Sequence, residues 1–243
     1  MSAVSEIFAR IREASAAIYP QVSVTPLQQS RLISAELGCE VLLKYEHMQP
    51  TGSFKIRGAT NKVRLLDQQS RRAGVLTAST GNHGVAVARA GGLIGGTGSA
   101  IKALNPRVRV VGVWPEASQC LLRALEAGRI VPCEEQPSLS DGTLGAVEPG
   151  SATFPICQSV IDSRVVVSET EIAAALSQLL ETEDLMVEGA AGVALAGLVK
   201  CAQAYRGRKV AVVLCGRNIG PKRFMTVCAT SSKPRWQNAI PPQ

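Results

Sequence analysis

Short apolar runs alternate with stretches of helical spacing along most of the chain, and this alternation is the feature that most restricts its fold. Five runs have the composition of β-strands, and they cover residues 41–45, 74–78, 108–113, 165–167 and 209–214. Helical patterns lie between them. Such an alternation predicts an α/β fold in which a mainly parallel sheet is flanked by helices, giving three layers in the order helix, sheet, helix.

The predicted helices have recognisable ends. The patterns predict helices over residues 2–18, 53–66, 82–90, 117–127 and 188–204, and one that begins near Ser99 and ends at Leu104. Ser53 is a candidate N-cap and Gly128 a candidate C-terminal residue of their helices. Ser168-Glu169-Thr170-Glu171 is a capping-box signature for a further helix after the strand at 165–167.

The composition excludes a disordered chain and favours a protein that does not cross a membrane. Of 243 residues, 46% are hydrophobic and 19% are charged, a balance typical of a packed core. Apolar runs such as residues 210–215 are too short to span a bilayer, and the N-terminus has no pattern of a secretory leader. Seven cysteines without a CxxC pair suit a reducing compartment rather than a disulfide framework. We therefore expect a soluble, cytoplasmic protein.

The net charge of +7 comes from the C-terminal end of the chain. Residues 200–243 contain basic side chains but no acidic ones. Some of the basic residues flank a strand and others lie in a Pro-containing tail, so they do not predict the single basic face that nucleic acid requires. We expect residues 226–243 to form a solvated tail, and we expect neither nucleic acid nor a membrane as a partner.

Three positions carry residue types found in reactive sites, and each has a simpler alternative. Lys55 opens a predicted helix, where a buried amine could act as a nucleophile and an exposed one would only be solvated. Cys215 ends an apolar strand, where ligands of α/β sheets bind, but a buried Cys is also an ordinary core residue. Glu188 begins a predicted helix, and it either serves a site or complements the helix dipole.

Two further segments could bind anions. The turn Ser79-Thr80-Gly81-Asn82-His83 offers hydroxyls, an amide and backbone N–H groups, although an ordinary helix cap would look the same. The Gly-rich run over residues 91–98 precedes a predicted helix, so it could bind a phosphate or form only a structural turn. The two histidines, His47 and His83, show no metal-ligand spacing, and no metal is expected.

Taken in order, these segments resemble the threonine and serine dehydratase family of pyridoxal-phosphate enzymes, which has the tryptophan-synthase β-like fold known as fold type II. The resemblance rests on five motifs in the family order. They are the stretch from Lys44-Tyr45-Glu46 through Gly52-Ser53-Phe54-Lys55-Ile56-Arg57-Gly58-Ala59, then Ser79-Thr80-Gly81-Asn82-His83-Gly84, Gly91-Gly92-Leu93-Ile94, Val187-Glu188-Gly189-Ala190-Ala191-Gly192 and Leu214-Cys215-Gly216-Arg217-Asn218. The resemblance implies pyridoxal 5'-phosphate as cofactor and a small amino acid as substrate. A homodimer is a further expectation.

The resemblance also implies a role for each motif. Lys55 would be the Schiff-base lysine and the base that moves the substrate α-proton, and Thr80 stands where racemases of the family keep a Ser acid–base group. The substrate carboxylate would be bound by Ser79, Thr80, Gly81, Asn82 and His83, with Asn82 also near the cofactor. Other cofactor contacts would come from Gly91, Gly92, Leu93, Gly95, Gly96, Glu188 and Cys215. Cys215 would face the pyridine nitrogen. The implied reaction is β-elimination from a threonine- or serine-like amino acid, which gives a 2-oxo acid and ammonia.

The sequence departs from the family pattern at one junction. The family has a long segment between the second and third motifs, whereas here a predicted helix over residues 82–90 runs directly into Gly91. An internal deletion near residue 90 is the simplest interpretation. In addition, Arg217 stands where the family more often has Gly, and it is expected to crowd the side of the ring nitrogen.

The deletion divides the chain into four regions. Residues 1–68 and 91–225 would form the large, cofactor-binding domain, residues 69–90 would be the severely truncated small domain, and residues 226–243 the basic tail. Two alternatives remain open. The chain is either a dehydratase, including a relative such as the dehydratase of hydroxyectoine utilisation, or an inactive remnant that depends on an intact partner.

Overall fold

The structure is a computed structural model of the chain, and it describes residues 3–69 and 91–230. Its α-helices are α1 Ala3–Ile18, α2 Arg31–Leu37, α3 Lys55–Arg64, α4 Gly92–Leu104, α5 Cys120–Ala127, α6 Thr153–Val160, α7 Glu169–Glu183, α8 Gly189–Lys200 and α9 Pro221–Thr230. Its strands are β1 Leu27–Ser30, β2 Glu40–Lys44, β3 Val111–Pro115, β4 Ser163–Val167 and β5 Lys209–Val213. Short 3-10 turns cover Glu46–Met48, Asp141–Thr143 and Ala202–Tyr205. The α/β fold predicted from the sequence is confirmed.

The strands form two sheets. β2 pairs in parallel with β5 and antiparallel with β1, which gives a three-stranded sheet in the order β1-β2-β5. β3 and β4 pair in parallel as a separate two-stranded sheet, with Val111 opposite Ser163. Two of the three strand pairings among the described residues are parallel, so the expectation of a mainly parallel arrangement is confirmed, although the strands are divided between two sheets. The predicted strand at residues 74–78 lies outside the described residues.

A larger hydrophobic core lies between the three-stranded sheet and helices α2, α7, α8 and α9. Its fully buried members include Ile33, Leu43, Leu176, Leu195 and Leu214. α8 packs against strands of both sheets. It can do so because it is built from small residues: a Cβ at Gly197 would lie 2.6 Å from the methyl carbons of Val113 in β3. α8 thus holds β3 close to the larger core.

A smaller hydrophobic core lies around α5 and α6. Its buried members are Trp114, Leu121, Leu122, Leu125, Val147 and Cys157. On this side of the molecule α4 packs between α1 and α6. Together with the helices of the larger core, these helices give the three-layer arrangement that the sequence predicts.

Several local predictions are confirmed. Ser168 and Glu171 form the predicted capping box, in which each side chain accepts a hydrogen bond from the backbone N–H of the other residue. Gly128 ends α5 in the left-handed conformation, with φ at +67°. Two other predictions are wrong. Phe54, not Ser53, occupies the N-cap position of α3. The helix expected to begin near Ser99 begins at Gly92.

The structure also contains a disulfide that the sequence did not predict. Cys120, the first residue of α5, is bonded to Cys133, with 5.3 Å between their Cα atoms. This pairing departs from the expectation that all seven cysteines stay reduced. In the part of the chain that the structure describes, no helix is long and apolar enough to cross a bilayer.

Candidate active site

Three loops meet where β2 and β5 end and α8 begins, and backbone hydrogen bonds fix them to one another. The N–H of Phe54 donates to the carbonyl of Cys215 at 2.9 Å, and the N–H of Glu188 donates to the carbonyl of Gly216 at 3.0 Å. Two more bonds join the same loops, from His47 to Leu214 at 2.8 Å and from Arg217 to Gly52 at 2.9 Å. The motifs around Lys55, Glu188 and Cys215, far apart in the sequence, therefore form one site.

Glycines allow the loops to approach this closely. Gly52 has φ of +75°, and a Cβ there would lie 2.5 Å from Oδ1 of Asn218. A Cβ at Gly216 would lie 2.5 Å from Oε1 of Glu188. A side chain at either position would force its neighbour to shift, and the positive φ of Gly52 also disfavours any other residue there.

Lys55 is the first residue of α3 and is buried, with 6% of its surface exposed. Its Nζ has no hydrogen-bond partner among the described residues. Burial lowers the pKa of Lys55, while the negative charges of Glu188 and Asp141 act in the opposite direction. The positive end of the helix dipole also disfavours an ammonium group at this position. The result is a buried amine that loses its proton more easily than an ordinary lysine, as a nucleophile or base requires.

Glu188 and Cys215 lie beside each other in the same site. Both are buried, with 4% and 6% of their surfaces exposed. The thiol of Cys215 donates to Oε1 of Glu188 at a Sγ–O distance of 3.9 Å, and the N–H of Asn218 donates to Oε2 at 3.2 Å. Burial, and secondarily the charge of Glu188, raises the pKa of Cys215. Cys215 is therefore a neutral thiol and not a thiolate.

A buried ion pair lies next to the site, and it was not predicted from the sequence. Glu46 follows β2, and its carboxylate accepts two hydrogen bonds from Arg57 of α3, at 2.8 and 2.9 Å. The hydroxyl of Thr25 donates to the same carboxylate at 2.6 Å. Burial alone would raise the pKa of Glu46, but these hydrogen bonds, with the charges of Arg57 and Lys44, hold it below its usual value. Because Arg57 is two residues after Lys55, the pair fixes the start of α3.

The N-terminal segment is tied to the same ion pair. Gln49 donates to the carbonyl of Ser23 at 2.9 Å and accepts from its N–H at 3.0 Å. Arg57 also donates to the carbonyl of Ser23 at 3.0 Å, and its guanidinium lies 5.7 Å from the centre of the Tyr19 ring. The only sequence signal for this network was that Glu46 and Arg57 both lie in the same motif stretch as Lys55.

The Gly-rich run is helical, contrary to the prediction of a loop. Gly91 has φ of +79° and precedes the first helical residue, Gly92. A Cβ at Gly91 would lie 2.7 Å from Sγ of Cys157, a buried thiol whose pKa burial raises to about 11. The N–H of Gly95 donates to the carbonyl of Gly91 at 2.8 Å, so it is used inside the helix.

The positions along this run therefore differ in what they can bind. Gly92 and Leu93 lie in the first turn of α4, whose N–H groups have no acceptor within their own helix. Leu93 packs against the larger core, which also contains Cys215. Gly95 packs against Ile156 of α6, and Gly96 is one turn further from the helix start. An anion at this helix would contact the turn from Gly91 to Leu93 and not the later glycines.

Other candidate residues are placed as follows. Ser79, Thr80, Gly81, Asn82 and His83 lie outside the described residues. His47 is buried beside Tyr45, and burial, followed by the charge of Arg217, lowers the pKa of its imidazole. Arg217 itself is exposed, and its Cγ packs near Gly52. No cluster of His, Cys, Asp and Glu that could hold a metal ion occurs within residues 3–69 and 91–230.

Comparison with known families assigns the chain to a family. The sequence matches the family described as "Pyridoxal-phosphate dependent enzyme" over residues 18–91 and again over residues 89–216. The chain belongs to this family. The two matches meet at residues 89–91, which is where the sequence predicts an internal deletion.

Individual relatives of this pyridoxal-phosphate family support the same assignment. The L-threonine ammonia-lyase of Thermotoga maritima is 29% identical over 301 residues, which include 86% of this chain and 75% of the relative. A solved threonine deaminase, from the organism abbreviated T.th., is 27% identical, with a TM-score of 0.75 over 87% of this chain and 98% of that chain. The solved maize serine racemase shares the fold, with a TM-score of 0.81 at 22% identity over 90% of this chain and 96% of that chain.

The chain is a shortened member of the threonine and serine dehydratase group of fold type II enzymes. The alignment to the Thermotoga maritima enzyme runs over 301 residues, more than the 243 residues of the whole chain, so that relative contains a segment that this chain lacks. Because the family match is divided at residues 89–91, we place the missing segment there.

The described residues fit pyridoxal phosphate, the cofactor of this family. Lys55 has a buried amine with no hydrogen-bond partner among the described residues, and a group of this kind could form a bond with the cofactor aldehyde. The neutral thiol of Cys215 would have to turn its single S–H from Glu188 to the ring nitrogen in order to donate to it. The turn before α4 supplies a helix N-terminus for the phosphate, and Gly91 leaves this turn without a side chain.

Proposed function

We propose that the chain catalyses β-elimination from a threonine- or serine-like amino acid, which gives a 2-oxo acid and ammonia. The observation that carries the proposal is the buried Nζ of Lys55, which has no hydrogen-bond partner among the described residues. An amine whose pKa is lowered by burial deprotonates more readily, and only the deprotonated amine is a nucleophile or a base. The names of the relatives, threonine ammonia-lyase and threonine deaminase, supply the substrate class.

The division of work between cofactor and protein follows from the residues at the site. Pyridoxal phosphate, when bound, is an electron sink that makes the α-proton of an attached amino acid acidic. We assign the removal of that proton to Nζ of Lys55. We assign to Cys215 a neutral donor role at the ring nitrogen, because a thiol kept protonated by burial leaves that nitrogen uncharged. An uncharged ring withdraws electrons less strongly, which favours elimination in this fold type.

Glu188 positions the two reactive side chains. Its carboxylate accepts a hydrogen bond from the thiol of Cys215 and acts electrostatically on Lys55. Arg57 and Glu46 hold the beginning of α3, so Lys55 keeps one position relative to Cys215. We propose Arg57 and Glu46 as positioning residues, since neither side chain faces the amine of Lys55 directly.

The remaining roles also stay proposals. We assign phosphate binding to the turn from Gly91 to Leu93, and substrate carboxylate binding to the segment from Ser79 to His83. Thr80 is proposed as a second acid–base group, and a homodimer as the assembly. A second candidate function, binding of cofactor without turnover, is favoured by the missing segment at residues 89–91, since that segment belongs to the domain which would close over the substrate.

The test measures cofactor binding and turnover separately. The purified chain is mixed with pyridoxal phosphate, its visible absorbance is recorded, and borohydride reduction is followed by mass spectrometry of the peptide that contains Lys55. Release of 2-oxo acid from threonine and from serine is then measured. We expect reduced cofactor on Lys55. Cofactor incorporation without 2-oxo acid would support the second candidate, and no incorporation at all would refute both.

Matched variants locate the attachment. Lys55→Ala should remove the absorbance, whereas Lys62→Ala should retain it, because Lys62 is an exposed lysine on the same helix. Cys215→Ala should weaken cofactor binding only slightly, since one neutral hydrogen bond contributes on the order of 1 kcal/mol. Unchanged absorbance in Lys55→Ala would show that a different residue carries the cofactor.

A further inference from the structure

Two of the strands at the edges of the sheets in the described part of the chain are β5 and β3. In the described part of the chain, β5 pairs only with β2, and β3 pairs only with β4. Helix α8 packs against β3, β4 and β5, so a single helix contacts both sheets. The larger core also takes in side chains from both sheets, including Val113 and Val165 of one and Val210 and Val213 of the other. Both sheets therefore belong to one layer that is interrupted between β5 and β3.

The direction of the backbone groups identifies the free positions on β5. The N–H of Leu214 donates to Lys44 of β2 at 2.9 Å, and the carbonyl of Arg208 accepts from Glu40 at 2.8 Å. Successive residues of a strand direct their N–H and C=O groups to opposite sides. The backbone N–H and C=O groups of the even-numbered residues thus point toward β2. Those of Lys209, Ala211 and Val213 point toward the interruption. Ala211 is exposed and Val213 is half-buried.

The same argument applies to β3. The N–H of Glu116 donates to the carbonyl of Val167 at 2.8 Å, so the even-numbered residues of β3 face β4. Val111, Val113 and Pro115 then face the interruption. Pro115 has no N–H, which restricts pairing at the carboxyl end of this edge. Val111 and Val113 retain theirs, and both side chains are half-buried.

The sequence explains why a strand is missing at this place. In an α/β chain each helix normally follows a strand, and strands joined through a helix in a right-handed crossover usually lie side by side. α4 connects Gly91 to the segment before β3, yet the sequence before Gly91 predicts a helix rather than a strand. The missing segment of the relatives ends at this same residue. A strand that precedes α4 would lie next to β3.

We infer that the edges of β5 and β3 form an acceptor for one extended apolar segment supplied by another polypeptide. The donor would pair through the odd-numbered residues of both edges, as in other cases of strand addition. Its side chains would have to be apolar on the face toward α8, because this helix packs against β3, β4 and β5. The donated strand would join the two sheets into one.

A synthetic peptide tests the inference without any assay of activity. The peptide has the sequence that the Thermotoga maritima enzyme carries immediately before the residue aligned with Gly91. Binding to the full chain is measured by fluorescence anisotropy, and hydrogen exchange is measured at individual amides. We expect at least tenfold slower exchange at Ala211, Val213, Val111 and Val113 on binding, and little change at Val212, whose N–H already faces β2. A scrambled peptide of the same composition and a peptide with alternate N-methyl amides should not bind.

A pair of variants tests the acceptor edge. Ala211→Pro removes the N–H that faces the interruption while leaving those that face β2, so it should weaken peptide binding at least tenfold. Ala211→Ser retains the N–H and should bind like the original chain. If Ala211→Pro does not fold, the N-methylated peptide supplies the same test from the donor side.

Three results would overturn the inference. Slow exchange at these amides in the free chain would mean that residues of the chain itself already cover the edges. If exchange at these amides becomes slower as the concentration of the chain increases, the occupant is a second copy of this chain. Equal binding of the scrambled peptide would mean that the surface takes up any apolar peptide.

Discussion

Replacing Gly216 with Ala tests how tightly the candidate site is packed. The new Cβ would lie 2.5 Å from both Oε1 and Cδ of Glu188, so the carboxylate must retreat by roughly 1 Å to reach ordinary contact. Glu188 cannot simply turn into solvent, because only 4% of its surface is exposed and its Oε2 accepts from Asn218. Overpacking of about 1–3 kcal/mol and loss of a hydrogen bond of about 1 kcal/mol together predict a destabilisation of about 2–4 kcal/mol.

Native-state hydrogen exchange of the α8 amides measures this change in the free energy of unfolding. Gly58→Ala is the control: nothing lies within 4 Å of its Cβ position on α3, so it should stabilise the chain by about 0.5–1 kcal/mol. The decisive measurement is a double-mutant cycle with Glu188→Ala, which removes the obstructing carboxylate. In that background Gly216→Ala should cost less than about 0.5 kcal/mol. An equal cost in both backgrounds would refute the contact with Glu188 as the cause.

Three further substitutions follow from the same contacts. Lys55→Met should stabilise the chain by about 1–3 kcal/mol in thermal unfolding, because it removes a buried donor without a partner among the described residues. Since the Lys55 pKa is lower in the folded state, stability should rise with pH between the folded and unfolded pKa values, and Lys55→Met should abolish that rise. Glu46→Gln should lower the free energy of unfolding in urea by about 1.5–3 kcal/mol. Because the pKa of Glu46 is lowered in the folded chain, this loss should disappear as the pH falls through the folded pKa. A loss that does not depend on pH would contradict the ion pair. Ser168→Ala should cost about 1 kcal/mol through the capping box, with Ser159→Ala, at an exposed position of α6, expected to have little effect.

Local sequence signals were sufficient for much of the fold. The strands at β2 and β5 were predicted within one residue at each end, because their apolar runs are bounded by charged residues and Gly. The capping box at Ser168 was predicted because both its members lie within four residues of each other. Lys55, Glu188 and Cys215 were named as site candidates from separate motifs. The structure brings these three side chains together at the ends of β2 and β5.

The parts that could not be predicted depend on packing between distant residues. Glycine disfavours helices, so the run from Gly92 to Gly98 suggested a loop. Contacts override that preference: a Cβ at Gly98 would lie 2.6 Å from Val160, so the small residues let α4 pack closely on α6. The Glu46–Arg57 pair and the Cys120–Cys133 bond likewise join residues whose proximity no local pattern reveals.

The division of the apolar interior into a larger and a smaller core has a consequence for how the protein denatures. Two clusters that share few buried side chains lose their packing in separate steps, and a single cooperative transition needs them to melt together. Trp114 lies in the smaller core, whereas α7 and α8 contribute buried residues to the larger one. The fluorescence of Trp114 should therefore change at a lower urea concentration than helical circular dichroism. The chain should then populate an intermediate that keeps α7 and α8 but has lost the packing around α5 and α6.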